Sequence, residues 1–489
     1  MSWIDDFVGF FSPQAKVSRL RAKAVARDVE NYLRKYEGAS KGRRTAGWRT
    51  TSASAKSEIK PALSTLRNRS RDLVRNNSYA EKGIRAIATE TIGKGIKASI
   101  QAPSSRAERQ LLDLWSQWTD SRLIDIEGTQ TFCSIQNLIM RSMAESGEVL
   151  IRKRRVRPTQ SNPFPIRLQV LESDFIDSDE GSFRTKTGSE VIQGIEFDEN
   201  GGRLFYHLFE DHPGNFNILQ SPRIDSIRVP ASDVLHIFRV DRPGQIRGVP
   251  WLAPAMIRLR DLDEFSDAQL VRQKVAAMFT AFIKDMEPLS DGLSEDQREL
   301  CEKMEPGSIE FLPPGKDIIL ANPPGVENYK EYTSVLLHEI ASGLGVPFEA
   351  LTQDLSQVNF SSARLGWLQF QRNIDSWRSQ ILIPSLLNPV FDWFLEGADL
   401  LGVNTQGAFV EWTPPRREMI DPTKEIPAII DGIRGGIITL SEAIRQQGKD
   451  PESHLEEIAR DNQTLDELEL TLDSDPRKIN GSGAQQRVS

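Results

Sequence analysis

From Pro254 to Lys284 apolar residues recur at three- and four-residue steps: Met256, Leu259, Leu262 and Phe265, then Val271, Val275, Met278 and Phe282, with no internal proline or glycine. That spacing predicts one long helix. Pro254 suits its first turn, where a missing N–H costs nothing. At about 1.5 Å per residue the helix would span roughly 45 Å. Its halves differ: the first carries Arg258, Arg260, Asp261, Asp263, Glu264 and Asp267, while the second, VAAMFTAFI, is apolar or small nearly all round. Such a pattern fits either a core helix of a large domain or a helix that packs against copies of itself.

Helical periods also cover Pro61 to Ile92 as one element, then Arg106–Ser121 and Phe132–Glu145. Between about Gly147 and Val240 the period falls to two. EVLIRKRRV, IRLQVLESDFI, QGIEFD, RLFYHLFE and SDVLHIFRV read as strands, and Glu199-Asn200-Gly201-Gly202 reads as a hairpin turn. The stretch predicts a mostly antiparallel β unit. Next, RPGQIRGVPWLAPA (Arg242–Ala255) alternates proline and glycine with larger residues and predicts a stiff bend into the long helix. An acidic excursion, Asp285–Gly325, holds a short helix and a strand pair at 309–312 and 317–320, before Val326–Gly345 returns as a second helix. The polar loop TQDLSQVNFSS follows. Ser361 or Ser362 is expected to cap another very long helix, kinked near Pro384 and Pro389, with Trp367, Phe370, Trp377, Phe391 and Trp393 inward. AFVEWTPP reads as a strand, and 421–472 as two or three short helices. The fold class is α+β.

Composition changes this picture little. The 489 residues are 38% hydrophobic and 27% charged, enough for several domains and a sizeable core. No apolar run reaches the roughly 20 residues of a membrane span. The first residues, MSWIDDFVGFF, lack the basic start of a signal peptide. Two cysteines, Cys133 and Cys301, argue for a reducing compartment and against a disulfide framework. Net charge is −8, yet residues 1–80 hold 17 Lys/Arg against 7 Asp/Glu, and 285–310 hold 9 acids against 2 bases. Local fields therefore matter more than the total. Arg67, Arg71 and Arg75 form a basic stripe at four-residue spacing, either a solvated face or a contact for nucleic acid or an acidic partner.

Candidate chemistry is sparse. His338-Glu339 opens an HExxH pattern, but Ser342 stands where the second histidine belongs, so a partly buried helix histidine is expected. No GxxxxGK[ST], GxSxG, paired CxxC or strand-linked GxGxxG occurs. Asp174, Asp177, Asp179 and Glu180 lack the spacing of a calcium loop, and Asp261 and Asp263 face different ways on a helix. No catalytic residue, metal site or cofactor is expected.

Three stretches carry a resemblance: Arg71-Asp72-Leu73-Val74-Arg75-Asn76-Asn77-Ser78-Tyr79-Ala80, Val234-Leu235-His236-Ile237-Phe238, and Arg242-Pro243-Gly244-Gln245-Ile246-Arg247-Gly248-Val249-Pro250-Trp251. With Leu351–Asn373, Gly436–Glu442 and Gly448–Pro451, they resemble the lambda-type phage portal proteins in order from about Pro61 to Arg460. The resemblance implies a portal fold: an α/β wing, a long helical stem, a small α/β clip and a helical crown. Mapped on this chain, it gives a flexible basic arm (1–60), wing (61–253), stem helix (254–284), clip (285–325) and second stem helix (326–345). Then come the channel loop, long helix and return to the wing (346–420), the crown (421–472) and a disordered tail (473–489). It implies a ring of twelve copies at one capsid vertex, through which terminase packages double-stranded DNA without sequence preference and from which DNA later leaves. Implied partners are terminase, the major capsid protein or scaffold, and head-completion or tail-connector proteins, with no membrane. The protein would sit in the virion, and in the host cytoplasm during assembly.

The residues expected to matter follow from that map. Gln353, Asp354, Ser356, Gln357, Asn359 and Ser361 would line the channel loop, where short neutral side chains let DNA slide and fixed lysine–phosphate pairs would hold it. Glu295, Asp296 and Glu299 would meet terminase. Val275, Met278, Phe279 and Phe282 would pack the stem ring-wise. Two other classes compete: a phage DNA-processing enzyme with Asp174, Asp177 and Asp179 around Mg²⁺, and another minor capsid or connector protein.

Overall fold

The computed structural model describes residues 50–159, 162–178, 183–184, 188–215, 225–277, 281–285, 316–320, 329–356, 360–416 and 421–470, with scattered positions elsewhere. Contacts divide the chain into Met1–Ser54 and Ala55–Ser489. In the first unit residues 21–26 are helical. The second begins on a helix at Ala55, so residues 55–60, expected in the arm, belong to a folded element.

The single helix expected over Pro61–Ile92 is two, α1 (Ala55–Asn76) and α2 (Ser78–Ile92). Asn77 makes the break: its extended backbone ends one helix and its Oδ1 accepts from the Ala80 N–H at 2.9 Å, starting the next. Strand β1 (Lys97–Gln101), which the periodicity did not show, follows, and then α3 (Ser105–Thr119) and α4 (Phe132–Ser146) near their expected bounds. Ser104 and Thr131 cap the two helices.

Strands β2 (Glu148–Arg155) and β3 (Ile166–Glu172) come next, then β4 (Phe183–Arg184), β5 (Glu190–Ile192), β6 (Ile195–Phe197), β7 (Arg203–Phe209), β8 (Ser226–Pro230) and β9 (Val234–Phe238). They form two antiparallel sheets, in the orders β3-β2-β9 and β4-β5-β6-β7-β8. Gly201, at φ +85°, turns the β6–β7 hairpin. Alternation along β2 decides which core each residue joins: Val149 and Ile151 enter the main cluster with the helices, while Leu150 joins Ile195, Tyr206, Leu208 and Val229 of the second sheet.

Helix α5 (Met256–Ala277), the pair β10 (Ala281–Asp285) and β11 (Lys316–Leu320), helix α6 (Tyr329–Leu344) and the short α7 (Phe348–Thr352) make the next section. Helix α8 (Phe360–Trp377) then runs through a π-helical segment (Arg378–Leu387) into α9 (Asn388–Leu400). Where a kink was expected, the helix changes its winding: Pro384 lies inside this π segment and Pro389 in the first turn of α9. Pro384 cannot donate within the helix, and the wider winding accommodates its ring. Trp115, Trp118, Phe164, Phe391 and Phe394 pack edge-to-face, tilted or stacked, with centroids between 4.7 and 5.9 Å. β12 (Phe409–Thr413) pairs with β1, and α10 (Pro422–Arg434), α11 (Leu440–Gln446) and α12 (Pro451–Glu467) close the described chain. No helix among the described residues is long and apolar enough to cross a membrane.

Candidate functional site

Helices α5 and α6 run antiparallel as a pair. Arg258 Nε meets Glu339 Oε2 at 2.9 Å, and Phe265 stacks on Tyr329 and meets Tyr332 at a tilt, with centroids at 5.6 and 4.9 Å. Leu259 and Leu262 are buried in one core with Leu336, Leu337, Ile340 and Ala341. Other apolar residues point elsewhere: Ile257 is 74% exposed, and Leu270, Val271, Tyr332 and Val335 are all more than half exposed. The apolar positions of α5 therefore lie on more than one face, and its partner covers only one of them.

The long helix is shorter than its periodicity predicts. It ends at Ala277, and residues 281–285 form β10, in register with β11 (Phe282 opposite Ile319). Phe282 therefore belongs to a strand and not to helix packing. The segment AFIKD mixes an aromatic and a β-branched residue with a ready antiparallel partner, KDIIL, and cross-strand pairing outweighs a helical period that both conformations could satisfy. Val275 lies in the last turn of α5; its side chain, with Met278 and Phe279, lies outside the described residues. So do Glu295, Asp296, Glu299 and the expected strand at 309–312.

At the start of the loop, Gln353 takes a left-handed conformation (φ +59°) and its N–H donates to Glu349 O at 2.8 Å, ending α7. Thr352 Oγ1 accepts from Asp354 N at 3.1 Å, and Asp354 Oδ1 from Ser356 N at 2.9 Å. The Ser356 contacts hold the exposed Asp354 carboxyl below its ordinary range. Between them Leu355 is 67% exposed, an apolar residue that the polar reading of the loop passed over. Gln357 and Asn359 lie outside the described residues. Helix α8 already begins at Phe360, so Ser361 and Ser362 sit inside its first turn and are not its cap.

The basic stripe resolves differently from either expectation. Arg67 is buried, donates to Ser173 Oγ and lies 3.4 Å from Asp174; Arg71 donates to Asp174 at 2.7 Å and Ser146 at 3.0 Å. Only Arg75 is exposed. The acidic partner is within the chain, which spacing on one helix could not reveal. Glu172, Asp174 and His212 present ligand atoms within 4.8 Å of one another. The Arg71 guanidinium lies 3.1 Å from Glu172 and 2.7 Å from Asp174, so a cation already sits among these acids. Asp177, offered beside Asp174 as a metal ligand, is absent from that group, and Asp179 lies outside the described residues. His338 is exposed and not partly buried; it stacks on Phe348 at 4.0 Å, and its Nδ1 lies 2.7 Å from Ser334 O.

Where the β unit hands over to α5, a second charged group is fully enclosed. Glu148, first residue of β2, accepts from Arg247 Nε and Nη2 (3.0 and 2.6 Å) and from Gly248 N (2.8 Å), and its Oε2 lies 2.9 Å from His236 Nε2. Burial opposes its ionisation, but the Arg247 charge and the His236 bond prevail and hold the carboxyl far below its usual range. Burial pushes His236 down to about 4 despite Glu148. A neutral ring with the proton on Nε2 fits both neighbours, since Arg203 Nη1 stands 3.5 Å from Nδ1.

Comparison with known proteins settles the family. The model of the phage portal proteins, lambda family, matches residues 41–378. The chain belongs to that family. Among relatives, a probable portal protein of Halomonas phage phiHAP-1 is 27% identical over 460 residues, covering 89% of this chain and 88% of its own. Portal protein B of Escherichia phage lambda is 23% identical, covering 84% and 86%. A chain from the neck of a native gene transfer agent particle, computed with C12 symmetry, is 19% identical, covers 78% of this chain and 94% of its own, and superposes with a TM-score of 0.47. An HK97-family phage portal protein from Corynebacterium diphtheriae is 10% identical, covering 73% and 96%, with a TM-score of 0.34. As a portal protein the chain has a structural channel role, and the DNA-processing alternative is not favoured.

Proposed function

We propose that copies of this chain close into a ring, twelve by family resemblance, at a unique vertex of the capsid, with α5 and α6 as one segment of the channel wall. One observation supports this beyond family membership: the helix pair satisfies a single apolar face within the chain and leaves Ile257, Leu270, Val271 and Val335 exposed. A neighbouring copy on each side would cover them. Val275, Met278 and Phe279 would extend that contact toward the clip.

Double-stranded DNA passes the loop beginning at Gln353 and continuing through Asp354, Ser356, Gln357 and Asn359 to Ser361 in the first turn of α8. Neutral side chains and one carboxylate give it little salt-dependent hold on phosphates. The acidic segment 285–325 meets terminase through Glu295, Asp296 and Glu299 during packaging, and head-completion or tail-connector proteins afterwards. The ring also contacts the major capsid protein or scaffold, first in the host cytoplasm and then in the virion.

Electron microscopy of the purified protein tests the ring directly. A closed ring with a central hole and a countable symmetry is expected; monomers or compact dimers under every assembly condition would remove the reading. Reversing the charges of Glu295, Asp296 and Glu299 should weaken terminase binding while the ring persists. Unchanged binding would mean that terminase docks elsewhere.

A further inference from the structure

We propose that Glu148 and Arg247 are positioning residues that fix the angle at which the stem helix α5 leaves the wing. The inference rests on contacts within one copy and does not depend on the channel reading.

Two glycines bring the crossing chains into backbone contact. A Cβ on Gly248 would lie 2.1 Å from Gly147 O, and one on Gly147 would lie 2.5 Å from Val249 C. No side chain larger than hydrogen fits between them. Around this contact the Arg247 fork is fully committed: Nε and Nη2 go to Glu148, and Nη1 to Ser178 Oγ at 2.7 Å and Gln193 O at 3.3 Å. Those acceptors belong to β2, to the turn after β3 and to the β5–β6 turn, so one guanidinium reads the orientation of three parts of the wing. A buried ion pair adds little stability over a well-packed apolar contact of equal volume. It differs in direction, because a planar fork tolerates rotation and sliding far less than an aliphatic surface does.

No slack separates this junction from the helix. Gln245 splints the bend on one side, accepting from Asp241 N at 2.9 Å and donating to Arg247 O at 2.9 Å. On the other side Trp251 N donates to Ala144 O at 3.0 Å, and its ring lies against Trp377 with centroids at 4.9 Å. Turn bonds from Ala253 N, Ala255 N and Met256 N, at 2.8 to 3.0 Å, then lead directly into α5. Between Arg247 and α5 the chain therefore has no unbonded turn in which a change of angle at Glu148 could be absorbed.

The test reads the wing–stem distance within one copy. Spin labels go on Asn200, at the exposed β6–β7 turn, and Ala268, on the exposed side of α5, in full-length protein with Cys133 and Cys301 replaced by serine. Labelled copies are diluted into unlabelled ones, so the measurement holds whether or not a ring forms. The parent should give one narrow distance. Glu148→Gln and Arg247→Lys should each add a second, shifted population, and Ser178→Ala, which removes one anchor and leaves the ion pair, should broaden the distance while the protein stays folded. Leu208→Ala, in the second cluster, supplies the purely structural comparison: a lower melting temperature with the distance unchanged. If the junction variants lower the melting temperature and keep the single parent distance, they only stabilise, and the proposal is wrong. Should the first two fail to fold, Ser178→Ala decides: an unaltered distance overturns the proposal and a broadened one supports it.

Discussion

The region we assign to the wing and the helix pair we assign to the stem differ in where their side chains find partners. In the wing, Trp118, Ile135, Ile139 and Phe394 are covered within one copy, and even the charges of Arg67, Glu148 and Arg247 are matched there. On the stem, Ile257, Leu270, Val271 and Val335 remain exposed although α5 and α6 pack on each other. A region that satisfies itself can fold before assembly. A region with leftover apolar faces reaches its full stability only beside another surface. Substitutions should therefore separate the two: wing changes act on folding, stem changes on assembly.

The largest effect belongs to the wing core. Trp118 is 1% exposed, donates from Nε1 to Ile166 O at 3.0 Å and packs among Trp115, Phe164 and Phe394. Trp118→Ala should cost about 3–5 kcal/mol and appear as a large loss of stability in denaturant unfolding, whatever the oligomeric state. A mild effect would mean that the wing core borrows stability from neighbours as the stem is proposed to do.

Next in size is the opposite behaviour on the stem. Leu270→Asp with Val335→Asp should change one copy's unfolding by no more than about 0.5 kcal/mol per site, as exposed positions do. The same change should abolish rings in mass photometry, because each side chain buried between copies is worth about 1.5–3 kcal/mol and the charge must then be desolvated. Intact rings would show that these faces look outward, and the comparison would lose its meaning.

Much of this division was legible in the sequence. Period-two runs located β2, β3, β7 and β9, and helical spacing located α5 as far as Ala277, while the choice between a core helix and one that packs on copies of itself stayed open. What stayed hidden depended on distant residues. The stripe of Arg67 and Arg71 looks solvent-facing on a helical projection; its partners Ser173 and Asp174 lie about a hundred residues later. The break at Asn77 is a polar cap inside a continuous helical period, and only the Nδ2 bond to Asp263, at 2.8 Å, shows how it is used. The end of α5 failed for another reason: the apolar run from Val275 to Ile283 suits helix or strand alike, and β11 decides it. Of the expected loop residues, Gln353, Asp354 and Ser356 do form a connected turn, but the exposed Leu355 carries no periodic signal.

Acid should distinguish the two regions by a smaller amount. His236 is neutral when folded and pushed down to about 4, while in the unfolded chain it takes up a proton near its ordinary value of about 6.5. The unfolded state thus binds more protons between those values, and stability falls as pH drops from about 6.5 toward 4. Glu148, held ionised below its usual range, adds a loss of the same sign below about 4.5. The groups facing the ring from neighbouring elements are Glu148, Arg203, Tyr206 and Arg247. His236→Gln keeps a donor toward Glu148 and removes the titration. Its melting temperature should be lower than the parent's at pH 7 yet fall less steeply down to pH 5. An equally steep fall would place the sensitive group elsewhere.

The smallest effect is expected where the stem also uses charge. Arg258 and Glu339 lie 2.9 Å apart between α5 and α6, but each side chain is about half exposed, at 51% and 48%. Water and salt screen such a pair, and the entropy of holding two long side chains offsets part of the attraction. A double-mutant cycle with Arg258→Ala and Glu339→Ala should give a coupling below about 1 kcal/mol that shrinks further in high salt. The Arg247–Glu148 pair, with both side chains at 0% exposure, should give a much larger coupling that salt barely changes, because removing Glu148 leaves the Arg247 charge enclosed without a counter-ion and removing Arg247 leaves Glu148 only Arg67, at 3.7 Å, as a charged partner beside the His236 and Gly248 bonds. Equal couplings would mean that enclosure is not what separates the two regions. A large, salt-resistant coupling at Arg258 would instead show that neighbouring copies bury this pair in the assembled protein, extending the stem contact to a second face.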